Sequence, residues 1–230
     1  MLKENNKLLV DKYISQLCTD QIFTDDMTPY MELLFYRKNE YICREGEDIG
    51  YLLFIVAGKA KVFTTVSNGK SLLLCFYHKS TVLGDVEMVD DKAVAINVQV
   101  IEDTYCIGIS KENIQKHLFE DPKFLKYICN SLGQKLHRSA KNSAINLLYP
   151  LEKRLSSYIL AAGELLENGS RVLSVNENLI ELSELLGTSY RHLHRTLKSL
   201  CEKGILEKTG NGYEVIDHEE ISRLAADLYS

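Results

Sequence analysis

The chain has 230 residues, 45% of them hydrophobic and 26% charged, which suits one large or two modest folded domains with a real core. Its formal net charge of −5 argues against a protein that coats nucleic acid indiscriminately, but a local basic patch is compatible with it. The polar start lacks the pattern of a signal peptide, and no run approaches the roughly 18 apolar residues of a membrane span. We therefore expect a cytoplasmic protein with no membrane partner.

The six cysteines form no C-x-x-C pair, and their spacings lack the rhythm of metal ligands. In a cytoplasmic chain we expect reduced, partly buried thiols, no metal site and no cofactor. A redox-sensing pair stays open, because three cysteines on predicted strands could approach one another in the fold. These three are Cys43, Cys75 and Cys106.

Residues 31–109 consist of short strand-like runs separated by turn signals. The runs cover residues 33–36, 41–43, 51–56, 59–66, 71–78, 96–100 and 105–109. Asn68-Gly69 stands between two of them and is a strong hairpin signal, because this pair tolerates the positive φ angles of a tight turn. Many short strands with no helix between them indicate an antiparallel roll or sandwich.

After residue 109 the spacing of apolar residues changes from the period of strands to that of helices. Ser110 is a candidate N-cap for a short helix through Phe119, and Asp121-Pro122 opens a second helix. That helix meets no breaker before Pro150, so it extends over about 28 residues, or roughly 40 Å. Apolar residues recur along it at spacings of three and four. They are Leu125, Ile128, Leu132 and Leu136.

Such a stripe either pairs with the same stripe of a second copy in a homodimer or packs on the chain's own roll, and different faces of the helix can do both.

A further helix is predicted over 151–166. The predicted fold class is α+β with three parts. These are an N-terminal helix and jelly-roll-like β-roll sensor domain (1–120), a long dimerisation helix (121–149) and a winged helix-turn-helix (150–230).

Residues 176–206 carry the helix-turn-helix pattern. Leucines at helical spacing mark two short helices, and Gly187 with Ser189 supplies the left-handed turn and the cap between them. The turn 209–212 after Ile205-Leu206 predicts a small wing. Between residues 188 and 210 there are five Lys or Arg and two acids, a local balance of +3. A solvated charged face is the ordinary alternative to DNA binding, but the turn and the wing favour DNA.

Arg191, Arg195 and Lys198 follow i, i+4, i+7 and therefore share one face, as on a recognition helix in a major groove. Arg191 is the candidate for a bidentate guanine contact, and Arg195 could read a base or a phosphate. His192 and His194 stand at i, i+2, which does not suit a metal pair. The predicted DNA-binding residues are Thr188, Ser189, Tyr190, Arg191, His194, Arg195, Lys198, Lys208 and Asn211, of which Lys198, Lys208 and Asn211 are assigned to the DNA backbone.

These features resemble the Crp/Fnr family of bacterial transcription regulators over nearly the whole chain. Gly46, Gly58 and Gly84 have the spacing of that family's roll glycines, and 83–86 looks like the opening of its phosphate cassette. The run 189–193, Ser-Tyr-Arg-His-Leu, looks most like the YeiL-type branch. The resemblance implies a homodimer on pseudo-palindromic double-stranded DNA, contact with RNA polymerase, and an effector in the roll that acts through the long helix.

The departures from the family pattern bear on the effector. Members that bind cyclic AMP hold its phosphate with Arg-Ser or Arg-Thr, and residues 92–96 contain neither. A desolvated phosphate would lack its cation there, and nearby acids would worsen the penalty, so cyclic AMP is disfavoured. Only Cys18 lies near the N-terminus, which argues against an iron–sulfur cluster. The predicted effector pocket comprises Gly84, Asp85, Val86, Glu87, Ala93, Val94 and Ser139.

Two other interpretations compete with a ligand sensor. The roll could bind nothing and act as a scaffold for RNA polymerase or another protein. An enzyme on a cupin-like roll would need clustered metal ligands, and His78 is the only histidine in 31–109. No nucleophile–base arrangement supports catalysis either. We therefore expect no catalytic residues.

Overall fold

The structure, a computed structural model, describes residues 1–90, 92–165, 171–174, 178–210, 212–226 and 228. The chain forms two units, and each is described by itself. The first contains Met1–Val62 and Tyr77–Arg138, and the second contains Phe63–Phe76 and Ser139–Ser230.

Two antiparallel sheets build the roll. The first contains β1 (Leu2–Glu4), β2 (Met31–Tyr36), β4 (Tyr51–Ala57), β7 (Val82–Leu83) and β9 (Thr104–Ser110), in the order β1-β2-β9-β4-β7. The second contains β3 (Tyr41–Cys43), β5 (Ala60–Thr65), β6 (Ser71–Tyr77) and β8 (Asn97–Val100), in the order β3-β8-β5-β6. Ile109 of β9 lies opposite both Met31 and Leu52. The antiparallel roll predicted from the sequence is confirmed.

The core of the first unit is formed by side chains that alternate along these strands. Leu33, Leu52, Phe54, Ile107 and Ile109 are at most 1% exposed. Burying each such side chain contributes about 1.5–3 kcal/mol. The helices of this unit are α1 (Lys7–Ser15), α2 (Thr19–Ile22), α3 (Asp85–Asp90), α4 (Lys111–His117) and the first part of α5 (Pro122–Leu148).

Two glycines of the roll are required by close backbone approach. Gly58 has φ +93°, and a Cβ there would collide with the Thr104 side chain. Gly84 has φ +87°, and a Cβ would lie 2.5 Å from the carbonyl oxygen of Tyr51. No L side chain fits these positions without moving the neighbouring strand.

Helix α5 begins as the sequence predicts. The Asp121 carboxylate accepts hydrogen bonds from the backbone N–H groups of Lys123 and Phe124 and from the hydroxyl of Thr24. The residues of its predicted apolar stripe differ in burial. Ile128 is 5% exposed and belongs to the core, whereas Leu125 and Leu136 are 42% and 73% exposed.

The second unit contains the last part of α5 and a small α/β domain. Its elements are α6 (Leu151–Ala162), β10 (Glu164–Leu165), β11 (Arg171–Ser174), α7 (Leu179–Leu185), α8 (Tyr190–Glu202), β12 (Leu206–Thr209), β13 (Gly212–Val215) and α9 (His218–Ala225). The strands form a sheet in the order β10-β11-β13-β12. Leu155, Ile159 and Ile221 are fully buried, which places the core between the helices.

Three local expectations were wrong. The helix predicted over 151–166 ends at Ala162, because Gly163 has extended backbone and begins the turn into β10. The short helix after Ser110 ends at His117 rather than at Phe119. Helix α3 interrupts the strands where no helix was expected.

Candidate nucleic-acid interface

The turn between α7 and α8 has the geometry that the sequence predicts. Gly187 adopts φ +58°, and the N–H of Thr188 donates to the carbonyl of Ser183 at 2.8 Å. Ser189 is the N-cap of α8, and its hydroxyl oxygen accepts a hydrogen bond from the N–H of His192 at 3.2 Å. The turn is therefore fixed at both ends, which holds α8 at a defined angle to α7.

Helix α8 separates apolar and cationic residues onto different faces. Leu193, Leu197 and Leu200 have no exposed surface, while Arg191 and Arg195 are exposed to solvent. Residues at i, i+4 lie on one face of a helix, so the two guanidinium groups project from the same side. This side can approach a duplex without disturbing the core.

The cations near this face differ in whether they have acidic partners. Lys198 pairs with Glu202 at 3.6 Å, and Lys203 pairs with Glu152. In the part of the chain that the structure describes, Arg191, Arg195 and Lys208 form no ion pair with a carboxylate. These three residues therefore offer the charge that is free for phosphates or bases.

The N-terminal end of α8 is lined by polar and aromatic groups. The Thr188 hydroxyl lies 3.2 Å from Nδ1 of His192. Tyr190 is 49% exposed, and its ring centroid lies 6.2 Å from that of His194. These side chains surround the end of the helix at which backbone N–H groups point outward and favour anions.

The predicted wing is present as the β12–β13 pair. Lys208 is exposed on β12, opposite the buried Tyr213 of β13. Asn211, which the sequence assigns to the DNA backbone, lies outside the described residues. Of the predicted DNA-binding residues, the structure therefore places the seven on or before α8 and Lys208 on one small domain.

Two family profiles match the chain. Residues 33–121 match the cyclic nucleotide-binding domain, and residues 153–224 match the Crp-like helix-turn-helix domain. The regulatory protein YeiL of Escherichia coli O157:H7 is 27% identical over 215 residues, which cover 94% of this chain and 95% of YeiL. The two matched domains are those of Crp/Fnr-type transcription regulators, and the chain is similar to such regulators over nearly its whole length.

More distant regulators of this type share the same organisation. A CRP-like cAMP-activated global transcriptional regulator of Mycobacterium tuberculosis is 18% identical over 202 residues, covering 86% of this chain and 90% of that protein. A solved Crp/Fnr regulator from Thermus thermophilus has a TM-score of 0.68 at 16% identity, covering 85% of this chain and 99% of that one. The latter comparison shows the fold alone.

Arg154 is buried below the candidate interface, and no pattern in the sequence predicts its role. It is 8% exposed. Its Nε donates to the carbonyl of Tyr149 at 3.2 Å, and its Nη1 donates to the carbonyl of Leu186. One guanidinium thus joins the end of α5 to the turn before α8. An arginine in the first turn of a helix ordinarily indicates surface, so the sequence holds no signal for this role.

The predicted effector pocket of the roll contains a buried ion pair. Asp85 is fully buried, pairs with Lys135 and accepts a hydrogen bond from the Ser131 hydroxyl at 2.8 Å. Burial raises the pKa of the neighbouring Glu87, and its own backbone N–H and the charge of Lys135 offset this only in part. Lys135 and Ser131 were missed, because they lie about 50 residues further along the chain.

The remaining predicted pocket residues differ in exposure. Gly84 and Val94 are buried, whereas Val86 and Ala93 are exposed. Ser139 is exposed and belongs to the second unit. Within the described residues, no cluster of three histidine, cysteine or acidic side chains is arranged to hold a metal ion. None of the described helices combines the length and apolar character needed to cross a membrane.

Proposed function

We propose that this protein is a sequence-specific DNA-binding transcription regulator in which α8 enters the major groove. The proposal rests on one observation: exposed Arg191 and Arg195 stand opposite fully buried leucines on a helix capped by Ser189. Arginine can form a bidentate contact with guanine, and the free cations bind phosphates. The protein acts in the cytoplasm, and RNA polymerase is its further partner, as the family implies.

The active form is a homodimer joined along α5. Exposed or half-exposed residues recur on this helix at alternating spacings of four and three, which is the repeat of a two-stranded coiled coil. They are Leu125, Cys129, Leu132 and Leu136. A soluble chain leaves a leucine such as Leu136 at 73% exposure most readily where a second copy covers it. Two copies would present two α8 helices to the half-sites of a pseudo-palindrome.

The effector of this regulator is not cyclic AMP. The cationic side chain in the segment 92–96 is Lys92, and it is exposed and paired with Asp90 at 2.8 Å. Glu87 adds negative charge to the predicted pocket, and Asp85 is already paired with Lys135. A cyclic phosphate would therefore be desolvated beside acids without an arginine to balance it. A roll without any ligand, serving as a scaffold, is the alternative.

Selection of bound DNA from a random duplex library tests the proposal. The wild-type protein should enrich a two-fold-symmetric sequence, and footprinting should show protection of both half-sites. The double variant R191A/R195A should enrich no sequence. Arg223→Ala is the matched control, because Arg223 is an exposed arginine of the same unit that pairs with Glu220. Absence of enrichment by the wild type at low salt, or equal enrichment by the double variant, would contradict the proposal.

A further inference from the structure

The first unit contains a polar cavity that the sequence analysis did not anticipate. Its volume is about 360 Å³, near the lower end of the range for small-molecule sites. The segment 78–82 forms one wall, and α5 forms the other. The α5 side chains include an aromatic ring, two amides, a hydroxyl and two cations. They are Tyr127, Asn130, Ser131, Gln134, Lys135 and Arg138.

The cavity carries positive charge that its surroundings do not neutralise. Lys135 is paired with Asp85. Lys79 donates to the neutral amide oxygen of Gln16 at 2.9 Å, so its charge is not compensated. Nη1 of Arg138 is buried and has no hydrogen-bond partner among the described residues. Its guanidinium carbon lies 5.8 Å from the ring centroid of Tyr77. A contact through the face of the guanidinium leaves its in-plane N–H groups without acceptors.

Arg138 lines the cavity, so an anion bound there can accept hydrogen bonds from the guanidinium N–H groups that border it. Two uncompensated cations match the charge of a phosphate monoester, about −1.5 to −2 at pH 7. The planar fork of an arginine fits two phosphate oxygens at once. The surrounding hydroxyl and amide groups supply donors for the third oxygen and for the polar remainder of a small ligand.

This cavity lies away from the exposed stripe of α5, and it shares Lys135 and Ser131 with the Asp85 ion pair described above. Successive residues of a helix are about 100° apart, so Gln134 and Arg138 project from the side of α5 opposite to the exposed Leu125 and Leu136. A second copy along α5 would therefore leave the cavity open. None of the predicted effector residues, such as Glu87 and Ala93, lines it.

We propose that this cavity binds a small phosphate-bearing anion, with Arg138 and Lys79 holding the phosphoryl group. Binding requires no DNA and is independent of the proposed regulatory function. Because the ligand contacts α5 at several side chains, it would also bias the helix on which dimerisation depends.

Isothermal titration of the full-length protein with ribose 5-phosphate, inorganic phosphate, ribose and succinate tests this site. Ribose 5-phosphate should saturate the protein with a Kd below about 1 mM, and ribose should produce no heat of binding. Inorganic phosphate distinguishes a site for the free ion from one for an ester, and saturation by either probe supports the proposal. Succinate should bind at least tenfold more weakly, and equal binding of succinate would overturn the phosphate assignment.

Variants test whether the phosphate probe binds in this cavity. Arg138→Gln should weaken ribose 5-phosphate binding at least tenfold, and Lys79→Gln, at an exposed position, should weaken it severalfold even if the first variant proves unstable. Arg191→Ala should leave the affinity unchanged, which excludes phosphate binding at the DNA-binding helix. Lys126→Gln, an exposed α5 cation outside the cavity, should also leave it unchanged. Wild-type affinity in both cavity variants, or no saturable binding of any phosphate probe, would overturn the proposal.

Discussion

Arg191 and Lys208 offer the same charge to a duplex from different positions. Arg191 stands in the first turn of α8, and Lys208 lies on the wing. We expect Arg191→Ala to relax the preference at one base pair, with a loss of discrimination of about 1–3 kcal/mol. Lys208→Ala should weaken all sequences alike and reduce the slope of log K against log salt by about 1. Competition binding with single-base operator variants at several salt concentrations measures both effects. Identical selectivity profiles would refute this division of roles.

Arg154 acts through structure rather than through contact with DNA. Replacing it with methionine keeps the apolar stem but leaves the buried carbonyl of Leu186 and the carbonyl of Tyr149 without their donor. We expect a loss of about 2–4 kcal/mol in the free energy of unfolding. Arg154→Lys should recover little of it, because one ammonium cannot reproduce the fork. Chemical denaturation measures the loss, and Lys153→Met, which replaces a cation with methionine at a partly exposed neighbour, is the control. A wild-type midpoint for Arg154→Met would contradict this role.

The cysteines differ in reactivity because they differ in burial. Burial raises the pKa of Cys43 and of Cys106 to about 12, so at pH 8 only about one thiol in 10⁴ is ionised at each site. Cys18 and Cys129 are exposed. Brief iodoacetamide treatment of the native protein should therefore label Cys18. Cys129 lies in the stripe that the proposed dimer covers, so it should react only after the dimer dissociates, whereas the denatured protein should label at all six positions. A disulfide between Cys43 and Cys106 after mild oxidation, detected by mass spectrometry, would instead support a redox sensor.

Among the elements, α5 carries the proposed assembly. Leu136→Asp places a charge at the C-terminal end of the exposed stripe, near the middle of α5, where a second helix would have to desolvate it. We expect the variant to sediment as a monomer and to lose most of its affinity for a two-half-site operator. Lys141→Asp is the control, because Lys141 is exposed on α5 about 140° around the helix from Leu136. A wild-type dimer of Leu136→Asp would show that this stripe is not the interface.

The sequence predicts an element well where the local backbone geometry restricts a position to one or a few residue types. The Gly187 turn, the Ser189 cap and the opening of α5 after Asp121 were all foreseen, because φ above zero and unsatisfied helix N–H groups restrict the choice of residue. The strands β10 and β11 were not foreseen. They are two and four residues long, and β11 is stabilised by pairing with β13 about 40 residues away. Such pairing leaves no local pattern.

The candidate site also has some parts that the sequence predicts and others that it does not. The cationic face of α8 follows from helical spacing within one segment, so the sequence alone finds it. The Asp85–Lys135 pair and the Arg154 bridge join residues that are distant in the chain, and each member separately has the pattern of an ordinary surface charge. Only the fold shows that they are buried together.

For the whole molecule, positive charge is concentrated in the helix-turn-helix, and the rest of the chain is acidic. The chain carries −5, although the segment 188–210 contains five Lys or Arg against two acids. The remaining surface is therefore acidic and repels a polyanion, while the helix-turn-helix attracts it. Repulsion elsewhere disfavours non-specific wrapping, so we expect DNA binding by the proposed dimer to depend on two small patches and to fall steeply as salt rises.

Two small patches bind tightly only when both can contact the duplex at once, and this makes operator spacing a test of the assembly. Half-sites one helical turn apart, about 34–36 Å or 10–10.5 bp, face the same side of DNA. Inserting five base pairs between the selected half-sites turns one of them to the opposite side. The affinity should then fall to that of a single half-site, because the second contact no longer adds its binding energy. Electrophoretic mobility shift with the inserted operator, beside a single half-site duplex of equal length, measures the loss. Undiminished affinity would mean that the recognition helices bind independently, which a dimer joined along α5 does not allow.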